Sequence, residues 1–305
     1  LAGPRRRSYP RASMFLRRLA VLLLAVGLLA TAGPAGCLRV GARAGAEVPM
    51  GSWPAWQSLD PLLEVAHSHV DEATWQALES ARDWGADAWF QLGDLDLGLH
   101  LTRTEALARG EPLSVVTRGL ARAAGLTATL LPATDDRVRT HVVTPAGTFS
   151  FQDWFVARRH ADEVDGLRYD GADEATSAPG VLEAIAEADA LVLAPSNPFV
   201  SLHPILAVPS VRAALGARRV RCVAVSPLIG GRSVKGPLDR MLTRMAGGTT
   251  PAHIAACYEG LLDALVIDAA DEPAEAPVPL VVTATLMEDR AASRRLAEVV
   301  LEVAA

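Results

Sequence analysis

The chain has 305 residues, half of them hydrophobic, which is enough for one large α/β core or for a core with an insertion. A net charge of −6 excludes a general nucleic-acid binder, whose footprint is a basic surface. Three cysteines, Cys37, Cys222 and Cys257, show neither CxxC nor metal-ligand spacing; this excludes a disulfide scaffold or a structural zinc and fits a reducing compartment.

In chain order, the head stands apart. Residues 1–50 carry eight arginines against one acid, Glu47, for a charge of +7, so the remainder carries −13. The basic stretch is followed by an apolar run at residues 19–30 and by small residues ending in Ala35-Gly36-Cys37. That order has the form of an export signal with a lipoprotein-type cleavage box, and the run is short for a membrane span. The same Arg/Ala/Gly/Pro/Leu mixture arises when GC-rich coding DNA is read out of frame, and both readings stand. Because the run is rich in Leu and Ala rather than β-branched residues, it is expected to be a helix poorly joined to the core. The folded unit is expected to begin near residue 70, which divides the chain into a head, residues 1–60, and an α/β domain, residues 61–305.

Trp75, Leu78 and Ala81 recur at helical spacing and end at Gly85. An apolar strand over residues 87–92 then runs into the turn Gly93-Asp94-Leu95-Asp96, with His100 and Arg103 following at helical spacing. Residues 113–125 form an amphipathic helix, with Ser114 or Thr117 as its cap and Gly125 as its stop. Strands are expected at residues 127–131, 137–144 and 148–156, the last two joined by a hairpin turn at Pro145-Ala146-Gly147. This mixed section, about residues 95–170, reads as an insertion or lid on the main sheet.

A helix over residues 181–188 feeds the stretch on which the domain is organised. Residues 190–194 are an apolar run too short for a helix, broken at Pro195-Ser196-Asn197-Pro198 with Ser201 beyond. About thirty residues later the pattern returns: a strand at residues 220–225 breaks at Ser226-Pro227, with Gly230-Gly231 and then Lys235-Gly236-Pro237. Two units of strand then small polar loop, with helical sequence between, predict a doubly wound, mostly parallel, Rossmann-like three-layer α/β sheet. In such sheets ligands bind beyond the carboxyl ends of the strands. Helices at residues 238–246, 251–262 and 291–303 and strands at 265–267 and 280–286 complete it. Cys222 in a strand and Cys257 in an apolar helix read as inert core thiols.

The chemistry-bearing candidates follow from this layout. Asp94 and Asp96, one residue apart, could share a divalent cation with phosphate oxygens, although an isolated GDxD is more often a solvated turn. Arg103 suits a phosphoryl clamp and His100 a proton relay. Asp135-Asp136 with Arg139-Thr140 is a second acidic turn, of a kind that is usually an ordinary Asx turn. No Ser-His-Asp order, HExxH, Walker loop or GxGxxG occurs.

Taken together these blocks resemble the 2-phospho-L-lactate transferase (CofD/FbiA) family of coenzyme F420 biosynthesis. The resemblance is carried in unchanged order by Trp89-Phe90, Leu92-Gly93-Asp94 and Asp96-Leu97 with His100 and Arg103-Thr104-Glu105. It continues through Asp135-Asp136, Val138-Arg139-Thr140 and Phe151-Gln152-Asp153-Trp154-Phe155-Val156. Ala178-Pro179-Gly180-Val181-Leu182, Pro195-Ser196-Asn197-Pro198, Pro204-Ile205-Leu206, Ser226-Pro227, Ile229-Gly230-Gly231 and Lys235-Gly236-Pro237 complete it, from about residue 72 onward.

The resemblance implies a Mg²⁺-dependent transfer of a 2-phospholactyl or phosphoenolpyruvyl group. The donor is guanosine diphosphate-linked, the acceptor is the deazaflavin Fo, and GMP leaves. It implies Asp94, Asp96, His100 and Arg103 as the catalytic set, with the metal on Asp94 and Asp96. It implies Trp89, Asp135, Arg139, Pro195, Ser196, Asn197, Ser201, Ser226, Gly230, Gly231 and Lys235 as substrate-binding residues. Cytoplasmic localisation follows, with no nucleic-acid or membrane partner and with homodimerisation left open. The family's opening Gly-rich phosphate loop and NTGDD-type acidic motif have no counterpart in the head. The alternatives are a non-catalytic nucleotide-sugar-binding regulator of related fold, an inactive truncated member, and an exported protein built on this domain.

Overall fold

The computed structural model describes residues 19–22, 76–86, 94–126, 128–273 and 275–305, with the side chains of 19–22, Leu78, Leu95 and Asp96 excepted. The main sheet has five parallel strands. They are β1 (Leu19–Leu22), β5 (Ala190–Leu193), β6 (Cys222–Val225), β9 (Ala264–Asp268) and β10 (Leu280–Thr283), in that spatial order. Every residue of β5, β6 and β9 is buried, as expected of short apolar runs covered on both faces.

Alternation along these strands builds two cores. Ala190, Val192, Val223, Val225, Ala264 and Val266 face α9 (Arg290–Ala304) through its Leu296, Ala297 and Val300. Leu191, Leu193, Cys222, Ala224, Leu265 and Ile267 face the other way. There they meet α4 (Val181–Ala186), α5 (His203–Leu206), α6 (Pro209–Gly216), α7 (Leu238–Ala246) and α8 (Pro251–Ala256). The three-layer α/β class read from the sequence is the observed one. Cys222 and Cys257 are free thiols, pushed up by burial to about 12 and about 11 respectively, so neither is a ready nucleophile.

A second sheet holds β2 (Arg139–Thr144) between β3 (Gly147–Ser150) and β4 (Gly166–Asp170), all antiparallel. Before it lie α1 (Gln76–Asp83), α2 (Asp94–Ala108) and α3 (Leu113–Ala123). The hydroxyl of Tyr169 on β4 donates to the Phe199 carbonyl beside the main sheet, 2.5 Å away. Arg244 on α7 pairs with Asp165 and Glu163 just before β4, and Arg240 donates to the His160 carbonyl. These contacts hold the small sheet against the loops that follow β5 and β6.

Several expectations are corrected. Residues 19–22 are not helical; they pair in parallel with β5, Leu19 opposite Ala190 through Leu22 opposite Leu193. An unpaired sheet edge offers a row of backbone donors and acceptors, and satisfying them outweighs the weak helix preference of a Leu/Ala run. Residues 128–131 form no strand, because both edges of β2 are already taken by β3 and β4. The strand expected over residues 148–156 stops at Ser150, whose Oγ accepts the Asp153 amide and starts a π-helical turn, Asp153–Ala157. Strand β4 had no expectation at all. Neither Ser114 nor Thr117 caps α3: Pro112 holds the N-cap position, and Asp135 supplies the capping oxygens from outside the helix. Asp94 and Asp96 lie in the first turn of α2 rather than in a loop, where acids favour the helix dipole. Trp89 and Gly93 lie outside the described residues, as does the Cys37 region.

Leu265 is fully buried at the junction of β9 with the larger core. Leu265→Ala should lower unfolding stability by about 2–5 kcal/mol in a urea titration, whereas Val282→Ala, at a half-exposed position of β10, should lower it by well under half as much.

Candidate functional site

The parallel strands end on one rim, so the segments after β5, β6, β9 and β10 lie side by side. After β5, Pro195 is buried and Ser196 partly exposed. Asn197 Oδ1 accepts the amides of Phe199 at 3.0 Å and Val200 at 3.4 Å, capping the π-helical turn Pro198–Leu202. Its amide nitrogen reaches the sulfur of Met241 on α7 at 3.5 Å. Asn197 therefore shapes this loop, and Ser201 lies within the turn it caps.

After β6, the Ser226 amide donates to the Val266 carbonyl and its hydroxyl oxygen accepts the Leu228 amide. A tight hairpin follows, β7 (Leu228–Ile229) with β8 (Arg232–Ser233), and Gly230 and Gly231 form its turn with φ of 57° and 70°. A Cβ on Gly231 would stand 3.2 Å from Thr249 Oγ1, so glycine is required there by both conformation and space. Lys235 is exposed just beyond, and Gly236 packs close to Phe155 of the π-helical turn after β3.

Sequence reasoning missed the acids behind this hairpin. The Gly231 amide donates to Asp271 Oδ1 at 2.8 Å, and Asp271 is buried, with Oδ2 unsatisfied among the described residues. Burial raises the Asp271 carboxyl above its usual range. Asp268, at the end of β9, feels the same burial, but the Thr285 and Ala270 amides and the Thr285 hydroxyl bind it and hold it below its usual range. The glycine turn is thus held from behind by a carboxylate that already takes one of its amides. The signal was present in the acidic loop after Ile267, but nothing local tied that loop to residue 231.

The second group sits on the small sheet and α2. His100 and Arg103 are one turn apart on α2 and both buried, Arg103 at 1% exposure. Arg139 begins β2, and its guanidinium is lowered first by burial and then by the charges of Arg137 and Arg103. The structure thus brings Arg103 and Arg139 together and adds Arg137, which the sequence did not single out.

The acids predicted around them are otherwise engaged. Both oxygens of Asp135 bind Ser114. Asp136 accepts the amide and hydroxyl of Thr176, which lower its carboxyl. Asp94 Oδ1 accepts the Ala77 amide at the start of α1. Among the described residues no three His, Cys, Asp or Glu side chains converge on a metal position. These residues alone do not build a metal cage, and a Mg²⁺ shared with phosphate oxygens would need fewer protein ligands. Among the described residues no single helix is long and apolar enough to cross a membrane; one bent pair, Pro198–Leu206 with Pro209–Gly216, meets the length and composition together but turns by 89°.

Comparison with known proteins agrees with this geometry. The profile of the family described as 2-phospho-L-lactate transferase CofD matches residues 67–284. A phosphoenolpyruvate transferase of Mycobacterium sp. (strain KMS) is 40% identical over 253 residues, covering 76% of each chain. The phosphoenolpyruvate transferase of Kitasatospora aureofaciens is 38% identical over 267 residues, 83% of each chain. That of Nocardia farcinica is 41% identical over 229 residues, 69% of each. Among solved structures, a UPF0052 family member from Bacillus halodurans superposes with a TM-score of 0.51 at 17% identity, over 69% of this chain and 73% of its own, a likeness of fold. The profile match runs through the Asn197 cap, the glycine hairpin and the arginines of α2 and β2, and with relatives this similar over most of their length the chain belongs to the 2-phospho-L-lactate transferase CofD family.

Proposed function

We propose that this chain, a member of a transferase family of F420 biosynthesis, moves a phosphoenolpyruvyl group from a guanosine diphosphate-linked donor to a hydroxyl of the deazaflavin Fo. The observation that supports the reading best is the similarity to three phosphoenolpyruvate transferases across two thirds or more of each chain. The phospholactyl group of the family's description is the alternative cargo.

In this reaction the Fo hydroxyl oxygen attacks the phosphorus that carries the three-carbon acid. A new P–O bond forms, the bond between that phosphorus and the bridging oxygen breaks, GMP leaves with the bridging oxygen, and the hydroxyl proton is lost. The chain's own part is positioning and charge. Nucleotide would lie along the rim, against the loop shaped by Asn197 and the hairpin held by Asp271. Arg103 and Arg139 would balance negative charge on the transferring group. His100, one turn before Arg103, would take the hydroxyl proton. Mg²⁺, held by phosphate oxygens with Asp94 and Asp96, would add charge neutralisation when bound. Trp89, Ser196, Ser201, Ser226 and Lys235 complete the proposed contacts.

Incubating the protein with Fo, the guanosine diphosphate-linked enolpyruvyl donor and Mg²⁺ should release GMP, and adding EDTA should stop it. GMP release that does not depend on Fo would remove the acceptor from the proposal, and calorimetry that detects a UDP-sugar but no Fo would favour the regulator instead.

Asn197→Ala removes the cap that shapes the first rim loop, so GDP affinity should weaken by about 1–3 kcal/mol in calorimetry, with a smaller fall in thermal stability. Unchanged GDP affinity in a folded variant would detach that loop from the nucleotide.

A further inference from the structure

The arginines of the small sheet carry a further inference, which rests on the transfer reading above. Arg139 is paired across the ladder with Asp170, the acid that would ordinarily neutralise it. Asp170 is instead engaged by Arg168 at 2.8 Å and by His141 Nδ1 at 3.0 Å. The next nearest acids in sequence, Asp135 and Asp136, are bound to Ser114 and Thr176 as described. Neither Arg137 nor Arg139 forms an ion pair among the described residues, and the charges of Arg137 and Arg103 both act on Arg139.

The backbone holds this arrangement in place. The Arg137 carbonyl oxygen lies 2.4 Å from where a Cβ on Gly171 would stand. Gly171, with φ of 88°, therefore permits a contact between the two chains beyond the last ladder pair that no other residue would allow. Residues two apart on extended chain share a face, which places Arg137 and Arg139 on the same side. Thr140 pairs with Tyr169, which points toward Phe199, so Arg139 lies on the opposite face of the small sheet. Like charges gathered while the local acids are bound elsewhere raise the energy of the empty protein and lower that of any complex with an oxyanion.

We propose that Arg137 and Arg139, beside the buried Arg103, form an oxyanion-binding site on the small sheet, separate from the loops at the rim of the main sheet. The ligand chemistry is a carboxylate or a phosphoryl group, which the planar fork of arginine binds in bidentate fashion. Two sources present that chemistry in the proposed reaction: the three-carbon acid, and the phosphates of the nucleotide.

The test is calorimetric titration of wild type, Arg139→Gln, Arg139→Lys and Arg137→Gln with phosphoenolpyruvate, GDP and inorganic phosphate as separate probes. The expected result is at least a tenfold loss of phosphoenolpyruvate affinity in Arg139→Gln, a smaller loss in Arg137→Gln and partial recovery in Arg139→Lys, with unchanged melting temperatures. Unchanged GDP affinity in the same variants assigns the site to the three-carbon acid, whereas an equal loss for GDP assigns it to a nucleotide phosphate. Either supports the site. If all three probes bind the folded Arg139→Gln variant as they bind wild type, or if wild type binds none, the site is overturned. Failure of the Fo-dependent assay alongside Arg139-dependent probe binding would instead sink the transfer reading and leave the site standing.

Discussion

Burial of β5, β6 and β9 on both faces is the constraint from which the rest of the structure follows. Strands that carry only apolar side chains present no polar group to a ligand along their length, so chemistry is confined to where they end. Their alternation sends one set of side chains to α9 and the other to the five helices opposite, and both layers are needed to keep the strands from water. Parallel register then brings three carboxyl ends to one rim, and loops far apart in sequence become neighbours: residues 195–201, 226–231 and 268–271.

That rim is organised by side chains that bind backbone. Asn197 caps the first loop, Ser226 closes the second through its hydroxyl, and Asp271 holds the glycine hairpin from behind. Buried polar groups must find partners, and here they find the amides of turns. The loops are therefore set in shape before any ligand arrives, which lowers the entropy lost on binding. The small sheet works by the opposite arrangement. Its acids are satisfied by threonine, serine, histidine and a different arginine, leaving Arg139 beside two like charges. A rim shaped by backbone contacts and a sheet with concentrated positive charge supply the two things phosphoryl transfer asks of a protein, position and charge.

The strands, the helix that feeds β5, the hairpin at Pro145-Ala146-Gly147 and the three-layer class were legible in the sequence, because apolar period and turn residues act over a few positions. So was the family, whose ordered blocks run through both the rim and the arginines. The errors came where distant chain decided a local choice. Residues 19–22 became a strand because β5 offered an edge, and residues 128–131 stayed irregular because β2 had none to offer. The cap of α3 came from Asp135, twenty-one positions beyond the residue it binds.

Sequence by itself determined which residues are apolar, where they alternate and where they break, and those patterns dictate elements because they depend only on near neighbours. Tertiary structure alone decided which charged groups are already partnered. Asp94, Asp135 and Asp136 read in sequence as carboxylates open to a metal or a substrate, yet each accepts a backbone amide from elsewhere in the chain. Arg137 reads as one more surface charge, yet it stands with Arg139 against Gly171. Hydrogen bonds and charge interactions are settled by distance in space, which the order of residues does not encode.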